Sequence, residues 1–193
     1  AQFAEAAVSC RAWASQHPKA QMRDLISVED VMNSRAIADP LKVLDCSLVS
    51  DGGAAVVITR KDRAKDGPHK PVTLLGYGEG HSYEHISQAK DLTTSAAVQS
   101  GRAAYAEAGL TPDDIDLLQL YDCFTPALLM QIEDLGFCGK GEGGAWLASG
   151  ISRPGGSKPM NTHGGMLSYC HPGNPGAMFG LTEAITQMRG DAG

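Results

Sequence analysis

An α/β fold with buried strands is the architecture this sequence predicts, and three observations carry it. Residues 54–59, AAVVIT, are a dense β-branched run of the kind that fits a pleated, packed surface. Beyond Pro71, strand-like and helix-like segments alternate, the order of a sheet covered by helices. Glycine supplies 23 of the 193 residues and gathers between these segments; it shows no Gly-X-Y period, which excludes a collagen-like chain.

The elements follow in order. In residues 3–17, FAEAAVSCRAWASQH, Phe3, Ala6, Ala7, Cys10 and Trp13 recur at helical spacings, and His17-Pro18 ends the run. In SVEDVMNS, Ser27 caps a short helix and Asp30 lies three residues on, a short version of the capping box; Asp39-Pro40 closes that segment. Residues 54–59 read as a buried strand, and the charged, Gly- and Pro-containing stretch from Lys61 to Lys70 reads as a linker. VTLLGYG (72–78) is a second strand. TSAAVQSGRAAYAEAG (94–109) is a helix stopped by Gly109, and TPDD (111–114) is a turn or cap. IDLLQLY (115–121) is a third strand. TPALLMQIEDLG (125–136) is a helix capped by Thr125 with Pro126 in its first turn. A Gly-rich stretch over 136–157 precedes a last helix at about 177–189. The expected division is therefore 1–70 and 71–193.

The 42% apolar composition suffices for a real core, and the net charge of −6 argues against nonspecific nucleic-acid binding. No apolar run reaches the length of a membrane span. Five cysteines, at 10, 46, 123, 138 and 170, are odd in number and widely spaced, so no disulfide framework is expected. With no signal peptide visible, a reducing cytoplasm is the expected location. C-x-x-C and H-E-x-x-H are absent, so no metal site is expected. There is no phosphate-loop motif, and no G-x-G-x-x-G sequence opens a strand–helix unit. Both chain ends look cut from something longer.

The densest chemistry lies at Asn161, His163, Ser168, Tyr169, Cys170 and His171, around the glycine pair Gly164-Gly165 and the PGNPG turn at 172–176. Glycines at such density let backbone approach a ligand or turn amides inward as an oxyanion hole; tight loops between packed elements are the plainer alternative. His171 sits near the start of the last helix, where the helix dipole disfavours an added positive charge. Tyr121 ends a predicted strand ahead of a capped helix, the place where ligands gather in open α/β sheets; a half-buried tyrosine bonded to backbone is the alternative. Cys123 and Cys170 border these motifs, but small buried cysteines are commoner than nucleophiles. Cys10, Cys46 and Cys138 have no chemical company in the sequence. His81 and His85, with Glu79 and Glu84, read as a solvated loop.

NTHGGMLSYCHPGNPG (161–176) resembles the thiolase-superfamily loop in which an asparagine, a glycine pair, a serine and a G-H-P-x-G element carry the catalytic histidine. AGLTPDDIDLLQLYDCF (108–124) is similar to the matching segment of the sterol-carrier-type thiolases, and SRAIADPLKVLDCSLVSDGGAAVVIT (34–59) to the end of the N-terminal half of that fold. The resemblance covers nearly the whole chain. It implies a thiolase-like α/β/α/β/α fold, with this chain covering the end of the N-terminal half and most of the C-terminal half. The family's reactive cysteine usually lies outside the matched stretch. Two departures mark a subfamily. Tyr121 stands where sterol-carrier-type thiolases usually carry histidine in H-D-C-F, and Cys170 replaces the glycine of G-H-P. With Tyr169, this looks like the thiolase-like aldolases of steroid side-chain degradation, which cleave a β-hydroxyacyl-CoA by a retro-aldol step and act with a small partner of zinc-ribbon and oligonucleotide-binding-like fold.

The resemblance therefore implies Tyr121, Tyr169 and His171 as catalytic residues. It implies Asn161, His163, Gly164, Gly165 and Gly173 as ligand-binding residues, and a CoA thioester as substrate with no permanently bound cofactor. A homodimer, the small partner protein and a steroid or other acyl-CoA ligand are the expected partners. In a locally extended loop, residues 169 and 171 would point to one side. Two other readings stand beside the aldolase: a sterol-carrier-type 3-ketoacyl-CoA thiolase using a cysteine elsewhere, and a non-catalytic acyl-CoA- or lipid-binding subunit.

Overall fold

The computed structural model describes residues 1–192. Helix α1 (Gln2–Ala14) runs through the core, and α5 (Thr125–Asp134), α6 (Gly143–Ala148) and α7 (Gly165–Ser168) pack around it. Its alanines make this possible. Ala4, Ala6, Ala7 and Ala14 are buried, so neighbouring backbone comes close. A Cβ on Gly164 would lie 2.6 Å from that of Ala14, and one on Gly144 would lie 2.6 Å from that of Gln2. The main apolar cluster joins Ala6 and Cys10 to Leu118, Leu128, Ile132, Leu147, Met160 and Leu167. The helix stops at Ala14, before His17, because two turn bonds, Gln16 N–H to Trp13 and His17 N–H to Ala14, take the chain out of it.

Helix α2 (Val28–Asn33) forms as its cap predicts: Asp30 N–H donates to Ser27 Oγ at 3.1 Å, and Ser27 N–H donates back to Asp30 at 2.7 Å. After α2 comes an unforeseen antiparallel hairpin, β1 (Ala36–Ala38) and β2 (Leu41–Lys42), turning at Asp39-Pro40. It is the only sheet among the described residues.

Three expected strands are corrected. Residues 54–59 and 72–78 carry no ladder hydrogen bonds to other described residues, and Val57, Ile58 and Leu74 stand 95%, 87% and 78% exposed. A β-branched run reports fitness for a sheet, but a strand exists only where a second strand takes its amides and carbonyls. Among the described residues, 115–121 form just one parallel bridge, Leu118 to Met160, with Leu118 N–H on Pro159 O at 3.0 Å and Asn161 N–H on Leu118 O at 2.9 Å. The linker expectation at 61–70 is modified by a single helical turn, α3 (Lys61–Ala64), and the Gly-rich stretch by α6.

Helix α4 (Ala97–Ala108) ends at Gly109 with φ +67°, as predicted. Its small residues receive every second residue of 76–80. A Cβ on Gly76, Gly78 or Gly80 would strike the carbonyl of Ala104, Ser100 or Ala96 in turn. Two strand residues advance about 6.6 Å and four helical residues about 6 Å, so the two glycine and helix periods stay in step. Helix α5 begins one residue away from the expected cap. Phe124 is the N-cap, and Thr125 instead donates its hydroxyl to buried Asp45 at 2.8 Å. Helix α8 (Gly176–Arg189) closes the described chain and ends at left-handed Gly190.

Alanine at Gly78 is expected to cost about 2–3 kcal/mol, because its Cβ meets helix backbone. Alanine at Gly109, left-handed but facing open space, is expected to cost about 1 kcal/mol. Urea unfolding of the two variants checks the ordering.

Candidate functional site

Three stretches converge: residues 45–50, residues 121–124 and residues 161–171. The Asp122 carboxylate joins the last two. It is 1% exposed, and accepts from Met166 N–H at 2.8 Å and Leu167 N–H at 3.3 Å, at the start of α7. Gly165 leaves the space for it, since a Cβ there would sit on the carboxylate while φ is already +65°. The thiol of Cys10 donates to Asp122 Oδ2 at 3.4 Å, so Cys10 does have a chemical partner. Burial pushes Asp122 up to about 6 against the pull of these donors, and pushes the Cys10 thiol up as well.

Residues 45–48 are tied to the same junction. Cys46 bridges Phe124, Ser47 N–H donates to Cys123 O at 3.0 Å, and Leu48 N–H donates to Met166 O at 3.1 Å. The Gln131 side chain clamps the backbone of Tyr121, accepting from its N–H at 3.1 Å and donating to its carbonyl at 2.6 Å.

These ties bring Tyr121 and His171 together. The phenol oxygen lies 3.0 Å from His171 Nε2, with the rings edge-on at 5.8 Å. Nδ1 of the same ring lies 2.7 Å from Ser47 Oγ, and the His171 N–H donates to Ser50 Oγ at 2.8 Å. The ring also lies against the start of α8, where a Cβ on Gly176 would approach its Cδ2 at 2.8 Å. Both nitrogens of His171 are thus committed, one to an ionisable phenol. Burial, then the nearby Cys123 and Asp122, raise the Tyr121 phenol, which keeps it protonated near neutral pH.

Tyr169 lies apart from that pair. It ends α7 with helical dihedrals (φ −88°, ψ −67°), so the extended-loop expectation that placed it beside residue 171 is corrected. Its ring packs against His163 at 4.9 Å, His17 at 5.1 Å and Phe179 at 5.8 Å. These four rings, with Trp13 and Glu183, line a cleft of about 720 Å³. Burial raises the Tyr169 phenol first, then Cys170 and Glu183. His163 is 5% exposed, has no hydrogen-bond partner at Nδ1 among the described residues, and is lowered to about 4 by desolvation.

Among the expected ligand-binding residues, Asn161 is turned to the protein's own backbone. Fully buried, it accepts from Leu120 N–H at 2.8 Å and donates to Leu120 O at 3.1 Å. Gly164 and Gly165 serve the close packing on Ala14 and Asp122, and Gly173 is an open left-handed turn. Cys123 is half-buried with a raised thiol. His81 bonds Glu79 at 2.7 Å on the exposed surface.

The residues that sequence reasoning missed are Ser47, Ser50, Asp122 and Arg11. Arg11, buried on α1, donates to Ser168 Oγ at 2.9 Å and to Asp24 O at 3.0 Å. Ser47 stands 124 residues from its partner, and no local pattern selects it. Asp122 had a signal, as a carboxylate between two singled-out residues.

A family model for thiolase C-terminal domain-like sequences matches residues 78–193. This chain belongs to the thiolase superfamily. The thiolase-like chain is 40% identical over 196 residues to the 17-hydroxy-3-oxo-4-pregnene-20-carboxyl-CoA lyase of Mycobacterium tuberculosis, covering 97% of this chain and 50% of that protein. It is 39% identical over 181 residues to an acetyl-CoA acetyltransferase of Methanothermobacter thermautotrophicus, covering 93% of this chain and 47% of that one. The solved Ltp2–ChsH2(DUF35) aldolase matches at TM-score 0.92 and 38% identity, over 99% of this chain and 51% of its counterpart. The fold is therefore thiolase-like, and the thiolase-like chain spans about half the length of the relatives it matches. No helix among the described residues is long and apolar enough to cross a membrane.

Two buried groups give opposing acid dependence. The raised Asp122 binds a proton more readily folded than unfolded, so its contribution grows as pH falls through about 6 and is lost as pH rises. The lowered His163 binds a proton more readily unfolded, so stability is lost below about 6.5, down to about 4. Relative to the parent protein, His163→Gln is expected to gain roughly 2–3 kcal/mol on going from pH 7 to about 4.5, and Asp122→Asn to lose roughly 2 kcal/mol. Urea midpoints at the two pH values read both signs.

Proposed function

We propose that this chain supplies acid–base groups to a thiolase-like retro-aldolase. Its substrate is a 17-hydroxy steroid side-chain CoA thioester, and its products are a 17-ketosteroid and propionyl-CoA. The observation that carries this reading is the Tyr121 phenol 3.0 Å from His171 Nε2, at the position where related thiolases usually carry histidine. The similarity to the mycobacterial lyase, at 40% identity, supports the same class of reaction.

The reaction needs a base for the 17-hydroxyl proton, an oxyanion site for the enolate and an acid for its carbon. A buried phenol is a weak base by itself. Paired with an imidazole, it accepts the substrate's proton as it passes its own to Nε2. The C17–C20 bond then breaks, its electrons become the thioester enolate, and protonation of C20 gives propionyl-CoA. Tyr169 supplies the second phenol, and His163 in the same cleft and Gly173 approach the ligand. No covalent nucleophile and no permanently bound cofactor take part. The stretches 1–70 and 71–193 are read as the end of one thiolase-like half with a linker and most of the second half. The protein works as a homodimer with a small zinc-ribbon and oligonucleotide-binding-like partner; the two named components of the similar Ltp2–ChsH2(DUF35) aldolase support the presence of a partner protein.

A second reading, a thiolase acyltransferase, is favoured by the likeness to the archaeal acetyl-CoA acetyltransferase. It requires a reactive cysteine and an acyl-cysteine intermediate. Incubation of the full-length protein and its partner with the 17-hydroxy thioester is expected to yield both products and no acyl-cysteine by mass spectrometry. Tyr121→Phe and Tyr169→Phe are each expected to lower kcat/KM by about 10²–10⁴-fold. Absence of both products, or full activity in Tyr121→Phe, overturns the reading.

A further inference from the structure

We infer that Ser47 is a positioning residue: its hydroxyl oxygen accepts the Nδ1 proton of His171 and so leaves Nε2 free to take the proton of Tyr121. The inference rests on the retro-aldolase reading for its chemical meaning, but its structural half is testable without it.

The geometry is specific. Ser47 Oγ lies 2.7 Å from Nδ1, while Nε2 lies 3.0 Å from the phenol oxygen. A neutral imidazole carries one N–H, so the partner at one nitrogen sets the role of the other. If Nδ1 carries the proton, Ser47 accepts it and Nε2 offers its lone pair to Tyr121. If Ser47 donates to Nδ1 instead, Nε2–H points at the phenol and Tyr121 has nowhere to pass its own proton. The proposed first step needs the former arrangement. The substrate O–H proton moves to the phenol oxygen, the phenol proton moves to Nε2, and the electrons of the breaking C–C bond become the enolate. The imidazolium formed keeps its Nδ1–H on Ser47 and later returns the Nε2 proton through Tyr121.

Ser47 is also held rather than free. Its N–H donates to Cys123 O at 3.0 Å, and the next residue, Leu48, donates to Met166 O at 3.1 Å. Ser50 Oγ holds the His171 N–H at 2.8 Å, so the imidazole is located by backbone and side chain together. A hydroxyl pinned to both segments that bear Tyr121 and His171 can select a tautomer, which a mobile one cannot.

The test is nitrogen NMR of the full-length protein labelled at histidine, with the His171 signals identified by their loss in His171→Gln. In the parent protein the His171 ring is expected as the Nδ1–H tautomer. In Ser47→Ala it is expected to shift toward Nε2–H, and kcat to fall about 10- to 100-fold with KM nearly unchanged. Ser47→Thr, which keeps the hydroxyl, is expected to restore both the tautomer and kcat, separating positioning from a folding defect. An Nε2–H tautomer in the parent, or an unchanged tautomer in a folded Ser47→Ala, overturns the inference. Lack of lyase products alongside the expected tautomer shift refutes the retro-aldolase reading alone.

Discussion

The Asp122 carboxylate accepts amide protons from Met166 and Leu167 at the start of α7, and this contact joins the segment that bears Tyr121 to the loop that bears His171. Burying a carboxylate is expensive unless hydrogen bonds replace its lost water. Here the replacements come from two amides and the Cys10 thiol, and the charge still sits at a cost, as its raised value of about 6 records. The same donors that offset the cost dictate where α7 begins. Gly165 has no side chain because the carboxylate occupies its place, and the loop on either side takes its shape from that collision avoided. Tyr121 is one residue upstream of this anchor, so its ring inherits the anchor's precision.

Small residues extend that logic outward. Ala14 of α1 admits the 161–165 turn, and Gly144 of α6 admits Gln2 of α1, at distances no larger side chain permits. Likewise, alternate glycines of 76–80 lie on the Ala96, Ser100 and Ala104 carbonyls of α4. In both places close backbone approach replaces the interlocking of large side chains, so dispersion contacts accumulate along main chain.

Two phenols occupy different electrostatic settings. Burial raises both, but only Tyr121 has an imidazole nitrogen within hydrogen-bond reach, whereas Tyr169 is stacked among His17, His163 and Phe179. A raised phenol is a poor base alone and a good relay when its own proton has a destination. That difference assigns the two tyrosines separate duties in the proposed chemistry, and it comes from their neighbours rather than from the side chains themselves.

The helices were legible in the sequence by itself. The alanine spacing of α1, the Ser27–Asp30 box of α2, Gly109 after α4 and Pro126 in the first turn of α5 are local properties, and helices close their hydrogen bonds within themselves. The thiolase-like loop at 161–176 and Tyr121 as the departing residue were legible too, because order along the chain carries them. The strands were not: 54–59 has every strand preference, yet its hydrogen bonds depend on a second segment that composition does not name. Nor were Ser47 and the two-amide grip of Asp122. Those contacts join residues 124 and 44 positions apart, and only the folded chain decides them, since a hydrogen bond between distant residues requires both to be held in place by everything packed between.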